Sequence, residues 1–208
     1  MFRAIIAAAV LALPGAPCLA DELPAVQDVL ARFVEAVGGA QALEAVSERH
    51  YSGTIVQDLS WDDPRYSVKP FLAAADARGV MRYAEAADWS QLPAGDSTEL
   101  CSRLRWIFHP RFALVVEQYF PGLETDRREV REGHNVVVLV PEGLKPEYCS
   151  LYFDEDSGLL THIGYHNWLE DWREVDGVMY PHRWVFGRKG GHTTYAWNTV
   201  ERGPAPRG

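Results

Sequence analysis

Histidine is the residue type in this chain most suited to holding a metal ion, and seven are present. A protein metal site needs three or four ligands that converge on one point. His162 and His166 stand four residues apart in a segment that favours a β-strand, where that spacing separates side chains by about 13 Å. His182 and His192 flank a predicted hairpin without facing each other in the simplest register. The spacing therefore predicts no metal site and no bound cofactor.

Carboxylates are the second group that could do chemistry. Glu170 and Glu174 share one face of a predicted strand, beside Trp168 and Trp172. Paired carboxylates next to aromatic rings can hydrolyse glycosidic bonds, so a secreted glycan-acting hydrolase is one interpretation. The simpler interpretation is a solvated strand whose carboxylates pair with nearby arginines. No serine lies in a Gly-x-Ser-x-Gly elbow and no Walker-type loop is present, so the motifs predict a protein without enzymatic activity.

Aromatic side chains are the remaining candidates for a binding function. Trp184 and Phe186 share a face of one predicted strand, and Tyr195 and Trp197 share a face of the next. Inward-facing rings can be ordinary core, or they can line a pocket with a few polar tips. Sequence alone leaves both interpretations open. The candidate cavity-lining residues are Trp106, Phe108, Phe120, Tyr152, Trp184, Phe186, Tyr195 and Trp197.

Two helices are predicted ahead of any strand. Apolar residues recur at the spacing of one helix face from Val26 to Val37. Pro24 suits the first turn, and Gly38-Gly39 ends the helix where a left-handed residue is needed. A second short helix follows from Ala40. This amphipathic pair needs a partner surface, and a sheet is the obvious one.

The second half of the chain has the pattern of an antiparallel meander. Strands at roughly ten-residue spacing are separated by Gly- and Asp-containing turns, which suit tight hairpins. Upstream, a strand is predicted around Tyr51–Val56 and another at Val80–Tyr83. The stretch from Asp58 to Pro70 is turn-rich, and residues 100–120 fit either a strand or a helix. The C-terminal strands are predicted at 124–131, 135–140, 148–154, 159–167, 169–175, 178–186 and 192–201.

These elements predict an α+β fold. N-terminal and mid-chain helices would cover one face of a curved antiparallel sheet, which forms an incomplete barrel. A sheet of this many twisted strands tends to curl, and curling without closure would leave an apolar hollow between the layers. We also consider that the segment from Ala84 to Phe120 could form a lid over this hollow.

The first twenty residues have the three parts of a secretory signal. Arg3 gives a basic start, an apolar run extends from Ala4 to Leu13, and small residues precede a cut near Ala20. The apolar run is shorter than the roughly 20 residues that span a bilayer. We therefore expect residues 1–20 to be a signal peptide, 21–202 to be a single domain and 203–208 to be a flexible tail. The processed chain is expected to be periplasmic.

Charge and cysteine content limit the partners and the covalent links expected of the processed chain. The chain has a net charge of −9, and loss of Arg3, the one charged residue of the signal, makes it −10. An acidic chain without Lys/Arg clusters is not expected to bind nucleic acid. Cys101 and Cys149 remain after cleavage, and in an oxidising compartment their simplest arrangement is a disulfide. Two buried free thiols are the alternative.

Several segments resemble a known family. Their residues are similar to those of the outer-membrane lipoprotein-sorting proteins, the LolA-like group of lipid carriers. The resemblance implies an incomplete β-barrel closed on one side by helices, with an apolar cavity that accepts acyl chains. It implies no catalytic residue and no cofactor. The similar segments are Phe33–Leu43, Tyr51–Thr54, Leu151–Leu160 and Asp171–Pro181.

The expected function is therefore a periplasmic carrier or sensor of a lipid-like ligand or a lipoprotein acyl chain. The alternative is a module that docks on another envelope or membrane protein through a sheet edge or exposed aromatic residues. The hydrolase interpretation comes third. A fully packed space between sheet and helices would argue against the carrier.

Overall fold

The computed structural model of this protein describes residues 22–58, 66–96, 105–188 and 191–206. Ten strands within these ranges form one antiparallel sheet, in the order β3-β2-β1-β10-β9-β8-β7-β6-β5-β4. Since β3 and β4 are separate edges, the sheet does not close into a barrel. The strands are β1 (Glu48–Asp58), β2 (Tyr66–Asp76), β3 (Met81–Ala84), β4 (Leu123–Arg131), β5 (His134–Pro141), β6 (Leu151–Asp154), β7 (Leu160–Ile163), β8 (Asn167–Val175), β9 (Val178–Arg188) and β10 (Gly191–Arg202).

Five short α-helices lie in the described residues. They pack mainly on one side of the sheet, which we call the inner face, and the opposite side is the outer face. No helix in the ranges given above is long and apolar enough to cross a membrane. The α+β class and the helix-covered incomplete barrel are confirmed. The helices are α1 (Val26–Ala36), α2 (Ala40–Glu44), α3 (Arg105–Phe108), α4 (Val116–Tyr119) and α5 (Pro146–Cys149), with 3-10 turns at Trp89–Gln91 and Phe112–Leu114.

The junction between α1 and α2 fixes the helices against the sheet. Gly38 and Gly39 have φ angles of 117° and 84°, a region that favours glycine. The backbone N–H of Met179 donates to the Val37 carbonyl across 3.0 Å. A Cβ on Gly38 would lie 2.1 Å from the carbonyl oxygen of Gly177. The predicted helix end is thus also a close contact with the β8–β9 turn.

The predicted meander of seven C-terminal strands is confirmed in number and order, with differences at some strand ends. The strand β2 was missed because its start is polar and contains Pro70. That proline is tolerated because β3 pairs only with Leu72–Ala75, and no described strand pairs with Pro70 on the side away from β1. The strand interpretation of Trp106 and Phe108 is wrong, since both lie in α3. Tyr148 lies in the helical turn α5 and not at the start of a strand.

Candidate ligand-binding interior

A continuous layer of aromatic rings lies between the sheet and the mid-chain helices, and we call it the aromatic layer. Trp106 of α3 contacts Trp184 of β9 with ring centroids 6.4 Å apart, and Trp184 stacks on Tyr195 at 4.9 Å. Phe108 contacts Trp197 at 5.5 Å. Seven of the eight predicted lining residues are thereby brought together. The layer comprises Phe71, Trp106, Phe108, Phe120, Trp184, Phe186, Tyr195 and Trp197.

Tyr152 lies elsewhere. Its neighbours in β6, Leu151 and Phe153, face the main core, and side chains alternate along a strand, so Tyr152 faces outward. There it is fully buried beneath Arg131, whose guanidinium carbon is 4.3 Å from the ring centroid. Tyr152 therefore cannot share one cavity with the other seven residues in this arrangement.

Phe71 joins the layer although sequence reasoning missed it. Its ring contacts those of Phe108, Tyr195 and Trp197 at 5.6–6.1 Å. The opposite residue in β1 is Gly53, where an added Cβ would come within 2.7 Å of the Phe71 ring. Recognition of β2 as a strand would not have been enough, because residues on both of its sides are apolar near Phe71 and only pairing with β1 shows which side faces inward.

Residues 105–120, which include α3 and α4, lie over the sheet and are called the mid-chain cover. Three hydrogen bonds between described residues hold it. The Tyr51 hydroxyl donates to the Phe108 carbonyl at 3.0 Å, and the Tyr180 hydroxyl donates to the Pro110 carbonyl at 2.9 Å. Arg111 Nε donates to the Val46 carbonyl at 2.6 Å. The cover is thus fastened to the sheet and to the segment after α2.

Both tyrosine donors remain protonated at neutral pH. Burial raises the pKa of Tyr51 well above its usual value of 10.0, and the neighbouring Tyr180 raises it further. Burial also raises the pKa of Tyr180, although Arg49 opposes this shift. These two hydrogen bonds to the cover therefore persist across the physiological pH range.

Arg49 is a completely buried arginine behind Tyr180. Its Nε donates to the Tyr180 hydroxyl at 3.0 Å, and Nη2 donates to the Val175 carbonyl at 3.1 Å. The guanidinium carbon also lies 4.5 Å from the Tyr180 ring centroid, and Nη1 lies 3.6 Å from Asp176 Oδ2. A buried charge is stable only when it is paired and hydrogen-bonded. Arg49 therefore fixes the position of the tyrosine that holds the cover.

The space left between the helices and the sheet is small. A cavity of about 30 Å³ remains, lined by residues that include Phe33, Trp106, His109 and Trp172. This is about the volume of one water molecule. The indole N–H of Trp172 is buried and donates to no acceptor in the described residues. Burial lowers the pKa of His109 to about 4, so this side chain is neutral at neutral pH.

The other predicted features have separate outcomes. Cys101 lies outside the described residues, and Cys149 is half-buried against the core, so their disulfide stays a prediction, as does the signal peptide of residues 1–20. Glu170 forms an ion pair with Arg183 at 2.7 Å, as the solvated-strand interpretation expects. No group of three or more possible metal ligands occurs among the residues that the structure describes.

Comparison with known proteins shows the fold. No family model and no curated protein sequence matches the chain. Among solved structures, a LolA superfamily protein from Nitrosomonas europaea is 12% identical, with a TM-score of 0.55 over 88% of this chain and 96% of that one. An outer-membrane lipoprotein-sorting protein domain from Vibrio parahaemolyticus is 9% identical, with a TM-score of 0.50 over 85% and 92%. The fold is LolA-like, as the resemblance implies.

Proposed function

We propose that this protein is a periplasmic carrier of a lipid-like ligand, with an acyl chain bound among the rings of the aromatic layer, between the sheet and the mid-chain cover. Residues 1–20 would act as a cleaved signal, and 21–202 would be the carrying domain. The observation that carries this proposal is the aromatic layer itself. It joins the cover to the sheet through ring contacts, such as those of Trp106 with Trp184 and of Phe108 with Trp197.

The nearly filled interior counts against a preformed cavity, and we infer that the mid-chain cover lies closed on the sheet in the described arrangement. Ligand pockets usually enclose 300–1,000 Å³, whereas the cavity here is about 30 Å³. Loading therefore requires the cover to separate from the sheet. A neutral hydrogen bond contributes about 0.5–1.5 kcal/mol, so the bonds from Tyr51 and Tyr180 oppose separation only modestly. The acyl chain would replace the ring contacts that separation breaks.

A polar group near the cavity would orient the ligand. The indole N–H of Trp172, which has no acceptor among the described residues, is a hydrogen-bond donor in an apolar wall. A buried donor without an acceptor costs about 1–3 kcal/mol. An ester or carboxyl oxygen at the head of an acyl chain would recover this energy. We therefore place the ligand head near Trp172 and its chain along the aromatic layer.

Fluorescent fatty-acid binding to delipidated protein tests the proposal. Binding is expected for the wild type and is expected to fall at least tenfold for Trp184→Glu, because the charge would lie in the aromatic layer. Tyr165→Glu is the matched control, since Tyr165 is 47% exposed. If Trp184→Glu does not fold, fatty-acid binding by Phe186→Ala, which removes one ring of the aromatic layer, tests the same point. Equal binding by all variants, or no uptake by the wild type, would refute the carrier.

Docking on an envelope protein is the second candidate. Tyr148 and Tyr165 are each 47% exposed, and the Tyr165 N–H donates to the Glu147 carbonyl, so the two tyrosines lie on adjacent turns. Tyrosine is enriched at the energetic centres of protein interfaces. Two results together would favour this function over the carrier. The wild type takes up no fatty acid, and Tyr148→Ser abolishes a cross-link to an envelope partner that the wild type forms.

A further inference from the structure

The outer face contains a groove that the proposed carrier function does not use. Val56, Thr194, Val185 and Trp168 lie directly opposite one another across β1, β10, β9 and β8. Directly opposed residues share a face of a sheet, and the same row continues through His162 to the outward-facing Tyr152. The groove over this row has a volume of about 460 Å³, which is in the range of small-ligand sites.

The turn between β4 and β5 forms one wall of this outer groove. β6 and β7 have four residues each, so the longer β4–β5 hairpin extends beyond them. Its turn residue Glu132 accepts a hydrogen bond from Trp168 Nε1 at 3.0 Å. The second carboxylate oxygen lies 3.5 Å from His162 Nε2. Glu132 thus holds the indole ring of Trp168 as a fixed surface beside the groove.

The groove carries excess negative charge. Among the described residues, Asp58, Glu132 and Glu170 line it together with Arg183 and His192. With His192 counted as neutral, three negative charges and one positive charge leave −2. Arg183 is occupied by Glu170 at 2.7 Å. One carboxylate oxygen of Asp58 is buried and accepts no hydrogen bond within the described part of the chain. An unpaired buried carboxylate oxygen is costly and favours a cationic donor.

We propose that the outer groove binds a small organic cation, such as an amine or a quaternary ammonium group. The cation would lie against the face of the Trp168 ring, where cation–π attraction contributes about 0.5–2 kcal/mol. Asp58 and Glu132 would balance its charge, and the side chains of Val56 and Val185 would contact its apolar part. This site is on the opposite side of the sheet from the acyl interior, so it does not depend on the carrier function.

Titration with choline chloride, at constant ionic strength and followed by NMR of the indole N–H signals, tests the proposal. Choline is expected to shift the Trp168 indole signal, and 3,3-dimethyl-1-butanol, its neutral isostere, is expected to bind at least tenfold more weakly. Putrescine, a diamine without methyl groups, is expected to shift the same signal. Equal affinity for choline and the neutral isostere would overturn the cationic assignment.

Two variants test whether the negative charge inside the groove determines choline affinity. Glu132→Gln keeps an acceptor for the Trp168 N–H but removes a charge, so choline affinity is expected to fall about fivefold or more, equivalent to about 1 kcal/mol. Glu174→Gln is the matched control, because Glu174 lies on β8 but does not line the groove. Unchanged affinity in Glu132→Gln, or no shift of the Trp168 signal in the wild type, would refute the site.

Discussion

The Tyr180 hydroxyl donates to the carbonyl oxygen of Pro110 across 2.9 Å while it accepts from Arg49 at 3.0 Å. One oxygen therefore connects a charge buried in the sheet to the mid-chain cover. In the proposed loading step the cover separates from the sheet, so this connection would set part of the cost of opening.

Removal of the tyrosine hydroxyls is expected to favour the open state. Tyr51→Phe deletes the bond to the Phe108 carbonyl without changing side-chain volume, so we expect a loss of about 0.5–1.5 kcal/mol in unfolding free energy and faster fatty-acid uptake. Tyr180→Phe should cost more, since Arg49 Nε also loses its acceptor. Urea denaturation and stopped-flow fluorescence measure the two effects. Tyr165→Phe is the control, and uptake as slow as in the wild type would contradict the role of these bonds.

Arg49 is expected to be essential for stability. Arg49→Met retains a long apolar side chain but leaves the Val175 carbonyl without its donor and removes the ring contact with Tyr180, so we expect a loss of about 2–4 kcal/mol. Arg82→Met is the control, because Arg82 forms a partly exposed pair with Glu48 at 2.9 Å, and such pairs contribute about 0–1 kcal/mol. Similar denaturation midpoints for both variants would show that Arg49 does not contribute more to stability than a partly exposed arginine.

Acidification is expected to weaken the protein between pH 6.5 and 4. Burial, with a smaller contribution from nearby Arg111, lowers the pKa of His109 to about 4; burial also lowers the pKa of His162 to about 4. The unfolded chain binds protons at pH 6.5, so it gains protons in this window before the folded chain does. Each histidine therefore contributes stability that is present above pH 6.5 and is lost towards pH 4, up to about 2 kcal/mol between pH 7 and 5.

Replacement of His109 tests this pH dependence. His109→Asn keeps an acceptor for the Arg111 backbone N–H, which His109 Nδ1 accepts at 3.1 Å, and should flatten the fall in unfolding free energy from pH 7 to 5. His192→Gln, an exposed histidine, should leave the fall unchanged. A profile for His109→Asn that superimposes on the wild type would disprove the assignment.

Gly38 is expected to tolerate no side chain. Gly38→Ala combines a left-handed backbone with a clash against the Gly177 carbonyl, so we expect a loss of more than about 2 kcal/mol. Gly39→Ala is the matched control, since Gly39 also has a positive φ, of 84°, but nothing lies within 4 Å of an added Cβ. It should lose only the backbone strain of about 1–3 kcal/mol, and less than Gly38→Ala. Equal losses would mean that the contact with the β8–β9 turn is dispensable.

Periodicity predicted most of the sheet because its hairpins depend on local chemistry. The Asp176-Gly177 turn, for example, follows directly from residues with a left-handed backbone. Periodicity failed where a distant partner decides the structure. Phe71 lies in a strand that follows a polar stretch and contains a proline, and only pairing with β1 reveals its inward side.

The candidate site was predictable in composition but not in arrangement. Trp184, Tyr195 and Trp197 were placed on the correct strands, because alternation along a strand is a local property. Nothing in the sequence indicated that Arg49 is buried, since its partners Val175 and Tyr180 are more than 120 positions away. The sequence also did not show that Tyr152 faces outward, because both faces of the sheet near β6 are apolar.

The position of β10 has a consequence for how the chain folds. β10 lies between β1 and β9 and pairs with β1 along most of its length, so Tyr51 lies opposite Val200. Strands β1–β3 are hydrogen-bonded to the rest of the sheet through β10, the last strand in sequence. Contacts so distant in sequence form slowly, because loop closure must precede them. Strands β1–β3 therefore join the rest of the sheet only after β10 has formed. Until then the edge of β1 is available to chaperones or to incorrect strand pairing.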